Sequence, residues 1–374
     1  MIEENYKLNS TVVPTWKHLK LNNFDLNNFA EPVIKSYKKN YLEFSKEDFQ
    51  DVVVIPIEQA IKVDKNAAKH LNYNEKFGVS EEFVKIAENE FNSGVFVHIP
   101  KDKIINSYIK MNYVLDKENP TLIDHNIITA EPGSKATIIV DYSSDEKSEV
   151  FHNGVTKVFA GENSEINIIK IQRMNNNAVH LDSNLAVVSR NAKVNWVTVE
   201  MGSNINVTNY MSDLNEENSK ADIYSAYFVD GYRRQDLYYT ANHKGRRSES
   251  NMIIKGVLKD HSKKVFKGNI DFKKGSSKSK GAQEENVILL SPNVKTDSVP
   301  MLLCHEEDVD GSHAASVGKI NEEEMFYLMS RGFSDHDAKK LIIEAEFSPI
   351  FDKVPDESLR EILGAEIKRR LSND

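Results

Sequence analysis

A turn signature that returns at nearly constant spacing constrains this chain more than any other feature. Gly133-Ser-Lys-Ala-Thr-Ile-Ile-Val is echoed by Asn163-Ser-Glu-Ile-Asn-Ile-Ile-Lys, Asn191-Ala-Lys-Val-Asn-Trp-Val-Thr and Asn218-Ser-Lys-Ala-Asp-Ile-Tyr-Ser. Weaker copies start at Gly245 and Gly275, so the start-to-start steps are 30, 28, 27, 27 and 30 residues. Gly or Asn at the head of each copy suits a backbone position with positive φ. The runs between the turns alternate and are rich in Val, Ile, Thr and Tyr, which is strand patterning. A unit of this length with two or three short strands predicts a β-solenoid, in which each turn buries its apolar face on its neighbours. A β-sandwich also strings short strands together. It needs no turn signature at constant spacing, so the solenoid is the expected architecture.

The flanks read differently. Residues 1–88 are expected to form a mostly helical cap, broken by Pro14, Pro32 and Pro56. Ile61–His70 and Glu81–Asn89 have helical composition, and Ser80 is a start signal for the second. Residues 89–320 hold the strands. Residues 321–374 turn helical again. Asn321 followed by three glutamates is a capping box, and Gly332 ends that helix. Ser334 opens a second helix carrying Ala338, Leu341, Ile342 and Ala345. Pro355-Asp-Glu-Ser opens a third, where Leu359, Ile362, Leu363, Ile367 and Leu371 make one apolar stripe. Three helices cannot enclose a large core, so the stripes are expected to pack on the solenoid end, on the cap or on another protein.

Composition removes several function classes. The net charge of −9 gives no global attraction to nucleic acid or to an anionic membrane. No stretch approaches the roughly 20 apolar residues of a membrane helix. The acidic, polar start at Met1-Ile-Glu-Glu-Asn lacks the layout of a secretory signal, so a cytoplasmic home is expected. The single cysteine, Cys304, rules out an internal disulfide. Nor can one thiol hold an iron–sulfur cluster, which usually takes four.

Few constellations could carry chemistry. Gly311 to Lys319 has the wrong spacing for a phosphate-binding loop, and Ile320 stands where Ser or Thr is required. Cys304-His-Glu-Glu-Asp308, with His313 nearby, offers soft and borderline metal ligands. On a strand, however, alternate residues would face opposite ways. The plainer readings are a small buried Cys304, a solvated edge for His305 and the acids, and a structural His313. Arg233-Arg234, Lys244, Arg246-Arg247, Lys273-Lys274, Lys278 and Lys280 make the middle locally basic. Spread over successive solenoid turns, they read as a solvated face rather than a nucleic-acid track.

The C-terminal third resembles the SufB/SufD family, the scaffold subunits of the SUF iron–sulfur assembly machinery. The resemblance rests on Asp308-Val-Asp-Gly-Ser-His-Ala-Ala-Ser-Val-Gly-Lys-Ile320 and Phe326-Tyr-Leu-Met-Ser-Arg-Gly332. Upstream, Lys255-Gly-Val-Leu-Lys-Asp260, Val265-Phe-Lys-Gly-Asn-Ile270 and Leu290-Ser-Pro-Asn-Val-Lys-Thr-Asp297 also match; together the match spans roughly residues 90–350. Where SufB carries a Cys-Asp-Ser run, this chain has Thr296-Asp297-Ser298, and Ala314 replaces SufB's glutamate. The histidine that SufD contributes is kept as His313, and the run from Leu290 to Asn293 is also SufD-like. The cysteine often found two residues earlier in SufD is Gly311, and Ala314 and Ser316 replace a glycine and a threonine.

The resemblance implies a mainly β fold: a right-handed parallel β-helix between helical N- and C-terminal domains. It implies a non-catalytic, SufD-like subunit that pairs with a SufB-like scaffold, or with itself when isolated. His313 would be a transient ligand for iron or the nascent cluster at the subunit interface. A SufC-like ABC-type ATPase would dock on the C-terminal helices through Phe326, Tyr327, Arg331, Gly332, Ala338, Leu341 and Ile342. No cofactor is expected on this chain alone, and any flavin would come with the SufB-like partner. Two rivals follow from the solenoid itself. One is a carbohydrate-active β-helix such as a polysaccharide lyase, which would want export. The other is an interaction protein that binds nucleic acid through the basic turns.

Overall fold

The computed structural model describes residues 7–9, 19–21, 37, 39, 41–43, 49, 51–63 and 76–372. Two nine-stranded sheets face each other. The first contains β1 (Leu42–Glu43), β4 (Ile104–Leu115), β6 (Lys135–Ser144), β8 (Glu165–Arg173), β10 (Lys193–Glu200), β12 (Lys220–Val229), β14 (Glu249–Leu258), β16 (Ser279–Leu289) and β18 (Val309–Gly318), in that order. The second contains β2 (Val53–Pro56), β3 (Val95–Ile99), β5 (Thr121–Ala130), β7 (Phe151–Ala160), β9 (Val179–Val188), β11 (Ile205–Leu214), β13 (Arg234–His243), β15 (Lys263–Phe272) and β17 (Lys295–Cys304). Apart from β1 and β2, which pair antiparallel, all neighbours are parallel. The chain therefore alternates between sheets, one strand in each per coil. This is the expected parallel β-solenoid, and it excludes the sandwich.

The repeat signature marks one corner of the coil. Gly133, Asn163, Asn191 and Asn218 have φ of 75°, 58°, 55° and 58°. Asn191 donates to the Asn163 carboxamide at 3.1 Å, and Asn218 to Asn191 at 3.0 Å, so the turns are stitched by an amide ladder. The later copies need correction. At the fifth corner the left-handed residue is Arg247 (φ 53°), not Gly245, and at the sixth Lys278 (φ 63°) joins Gly275. The register confirms it: Lys220 pairs with Glu249, and Glu249 with Lys280.

Alternation puts one side of every strand between the sheets. Val194, Trp196, Ile223, Met252, Ile254, Phe266 and Ile270 belong to that apolar interior. Polar side chains interrupt it and bond to one another. His152 bridges Asp124 (Nε2···Oδ1, 2.5 Å) and His180 (Nδ1···Nδ1, 2.7 Å). Lys170 donates to Asp182 at 2.7 Å and to Asn184 at 2.9 Å. Glu200 accepts from Thr198 at 2.6 Å and Asn206 at 3.0 Å.

The flanking segments cover the outer faces. Helix α1 (Ile57–Val63) and helix α2 (Glu81–Asn89), capped by Ser80 through the Phe83 N–H, lie on the second sheet. Leu8, Leu19, Leu21 and Phe83 pack there against Val179, Leu181, Ile205 and Val207. The expected helix from Ile61 to His70 is described only to Val63; residues 64–70 lie outside the described residues. The C-terminal part holds α3 (Glu322–Ser330), α4 (Asp335–Phe351) and α5 (Glu357–Leu371). Helices α4 and α5 lie on the outer face of the first sheet, not on the solenoid end: Ile343, Phe347, Ile350, Leu359, Leu363 and Ile367 cover Ile169, Ile171, Val197, Val199, Phe228 and Val257. Lys110 with Asp356 (2.8 Å) and Arg370 with Asp230 (2.6 Å) pin them. No helix among the described residues is long and apolar enough to cross a membrane.

Candidate functional site at the open end of the solenoid

Strands β17 and β18 are the last rungs of their sheets, each paired on one side only. No described residue closes the coil above them. The inward positions of β18 follow from its register: Gly281 pairs with Gly311, Gln283 with His313 and Glu285 with Ala315. A Cβ built on Gly311 would lie 2.8 Å from Leu302 and 3.0 Å from Phe272, two interior residues, which confirms the facing. His313 therefore occupies an inward position, yet it is exposed, because there is no next coil to bury it. From the other sheet, Thr296, Ser298, Pro300 and Leu302 share the register positions of inward Lys264, Phe266, Gly268 and Ile270. The segment from Gly311 to Lys319 is thus mostly strand, in keeping with the absence of a phosphate-binding loop.

Below this mouth sits a buried polar triad that the sequence reading missed. Lys264 and Glu285 are fully buried and bridge the two sheets at 2.5 Å. Tyr227 donates to the same carboxylate oxygen at 2.8 Å. Lys264 also donates to Ser298 Oγ at 3.2 Å and to the Asp297 carbonyl at 3.4 Å. Burial pushes the Lys264 ammonium below its ordinary range, against the pull of Glu285. The triad braces the Thr296-Asp297-Ser298 stretch from beneath. Its only sequence signal is polar residues at alternate positions of β16.

The Cys304–Asp308 cluster does not assemble. Strand β17 ends at Cys304, and the following residues form the corner. Cys304 is exposed rather than buried, because it closes an edge strand. Glu306 turns away to accept the Gly275 N–H at 2.9 Å, a bond that lowers its pKa. His305 lies 3.7 Å from Asp271. Among the described residues no group of three or more His, Cys, Asp and Glu could hold a metal ion. The basic residues are spread over successive turns, and four of the nine pair with carboxylates: Arg233 with Asp230, Lys244 with Asp213, Arg247 with Glu217 and Lys273 with Asp271.

Helix α3 buries none of its residues. Asn321 caps it by accepting from Glu323 rather than from Glu324. Phe326 is 75% exposed and Tyr327 57%, and Arg331 stacks over the Tyr327 ring at 5.3 Å. Phe333 and Leu341 are exposed as well, and Gly332 (φ 98°) turns the chain between α3 and α4. Ile342 is half-buried. Ala338 is fully buried, out of a partner's reach, because the inward face of α4 starts there. Ile362 of the α5 stripe is exposed, since the buried line runs through Leu359, Leu363, Ile367 and Leu371.

A family model described as SUF system FeS cluster assembly, SufBD core domain, matches residues 113–346. The iron-sulfur cluster assembly protein SufD of Bacillus subtilis (strain 168) is 27% identical over 316 residues, 82% of this chain and 72% of that protein. An iron-sulfur cluster assembly SufBD family protein of Staphylococcus saprophyticus is 25% identical over 286 residues, covering 73% of this chain and 61% of the relative. One of Mycobacterium leprae is 23% identical over 268 residues, covering 71% and 31%. The chain thus spans less than two thirds of the last two relatives. With the solenoid, the position of His313 and these matches together, the chain belongs to the SufB/SufD family of iron–sulfur cluster assembly proteins and is SufD-like.

Proposed function

We propose that this chain is a non-catalytic subunit of a cytoplasmic SUF complex, pairing through its open solenoid end with a SufB-like scaffold. The observation that carries this reading is the uncapped last coil with His313 in an inward, accessible position. Two edge strands with unpaired backbone groups and exposed interior residues invite a second chain to continue the ladder. The cluster is cargo, and an imidazole is a suitable transient ligand for its iron. The partner supplies the thiolates that this chain lacks, and any flavin belongs with that partner. The exposed aromatic face of α3, with Leu341 of α4, takes a SufC-like ATPase.

His313→Ala tests the ligand role. The expected result is a complex that still forms and a steep loss of cluster assembly in cells, read as the activity of cluster-dependent enzymes. Intact assembly by an intact complex would remove His313 from the mechanism.

A further inference from the structure

Away from the open end, the outer face of the first sheet carries two polar rows that register sets side by side. Lys135, Glu165, Lys193, Lys220 and Glu249 are successive neighbours in one. Thr137, Asn167, Asn195 and Asp222 are successive neighbours in the other. In the first row Lys135 takes Glu165 at 2.9 Å and Lys220 takes Glu249 at 2.7 Å. Lys193 is left without an acid of its own row and turns to Asp222 of the second, at 2.9 Å. The rest of the second row bonds along itself. Asn195 donates to Asn167 Oδ1 at 2.8 Å, and Asn167 to Thr137 Oγ1 at 3.3 Å.

The two rows meet in a cleft of about 290 Å³, at the lower end of the size range of small-molecule sites. The turn between α4 and α5 contributes Lys353 and Pro355 to its lining. Tyr224 lines it too, and the Lys353 ammonium lies 3.8 Å from the centroid of that ring. A cation over a ring face is held in place without being neutralised. Among the described residues Lys353 has no ion-pair partner. Asp222 is matched by Lys193, so the cleft keeps an uncompensated positive charge on a chain whose net charge is −9.

We propose that this cleft binds a small hydroxylated phosphate monoester, its phosphate on Lys353 and its hydroxyls on the row from Thr137 to Asn195. An ammonium is a point-charge donor suited to phosphate. Hydroxyls donate as well as accept, which matches a row made of carboxamides and a hydroxyl. A bare inorganic anion would use the ammonium and leave the acceptors of the row idle. The row belongs to the solenoid and Lys353 to the helical tail, so an occupant ties the tail to the sheet beside the Lys110–Asp356 pair. The ligand is therefore an effector that stiffens this joint. The site is independent of the role given to His313.

Isothermal titration of the purified full-length chain with glycerol 3-phosphate, ribose 5-phosphate and glucose 6-phosphate, beside inorganic phosphate and glucose, tests the assignment. At least one ester should bind once per chain and raise the melting temperature. Inorganic phosphate should bind roughly tenfold or more weakly, and glucose should give no heat. Lys353→Met, at an exposed position, should leave the chain folded, as its melting temperature verifies, and weaken ester binding roughly tenfold or more. Thr137→Val should weaken the ester and leave inorganic phosphate unchanged. No ester bound by the wild type, or an ester bound equally well by Lys353→Met, would overturn the site. Inorganic phosphate bound as tightly as the esters would mean an adventitious anion only and would overturn the hydroxylated class of ligand.

Discussion

Lys264→Met is expected to destabilise the protein by about 3–5 kcal/mol, the cost of stranding a buried carboxylate without its counter-charge. Glu285 would keep only the Tyr227 hydroxyl as a polar partner, inside a coil that water does not reach. Glu285→Leu should cost a similar amount by stranding the ammonium. The double variant Lys264→Met/Glu285→Leu is the informative one. Apolar groups of similar volume often replace a buried ion pair without loss, so it should recover most of the stability that each single variant loses. Denaturant unfolding of the four proteins measures the coupling directly. Single variants that cost under about 1 kcal/mol, in the range of exposed pairs, would mean that water enters the mouth and screens the pair.

Glu200 makes the second large effect a function of pH. Desolvation by burial pushes its carboxyl up from 4.5 to about 7, against the hydrogen bonds from Thr198 and Asn206. The folded chain therefore holds this proton more tightly than the unfolded chain does. As pH rises past 4.5, the unfolded state releases the proton first, and stability falls until the folded state also ionises near 7. The contribution is fully present below the lower value and fully lost above the upper one, a change of about 3 kcal/mol. Glu200→Gln has no proton to lose. The stability difference between Glu200→Gln and the wild type should move by that amount in the variant's favour between pH 4.5 and 7.5. Buried His125 and His243, lowered by burial to about 3 and about 4, pull the other way in acid. They are common to both proteins and cancel in the difference. A constant gap across this window would show that Glu200 is ionised throughout.

The solenoid was legible in the sequence because its corners demand residues that tolerate positive φ. Glycine and asparagine advertise such positions; Arg247 and Lys278 adopt the same conformation without advertising it. The last copies were therefore misplaced by two or three residues. His313 was legible only through the family resemblance. Its floor was not, because the meeting of Lys264, Glu285 and Tyr227 depends on register between strands in different coils. The helical tail shows the same limit. Helical spacing located α4 and α5, but the sheet face they rest on decides which stripe is buried, and it chose Ile343, Phe347 and Ile350 over Leu341 and Ala345.

Affinity purification of the tagged chain from cells that naturally produce it, beside the variant Phe326→Asp/Tyr327→Asp, decides whether the proposed assembly exists. An ABC-type ATPase and a cysteine-bearing paralogue are expected to co-purify with the wild type, and the variant is expected to keep the paralogue and lose the ATPase. A wild-type chain recovered with neither protein would contradict it.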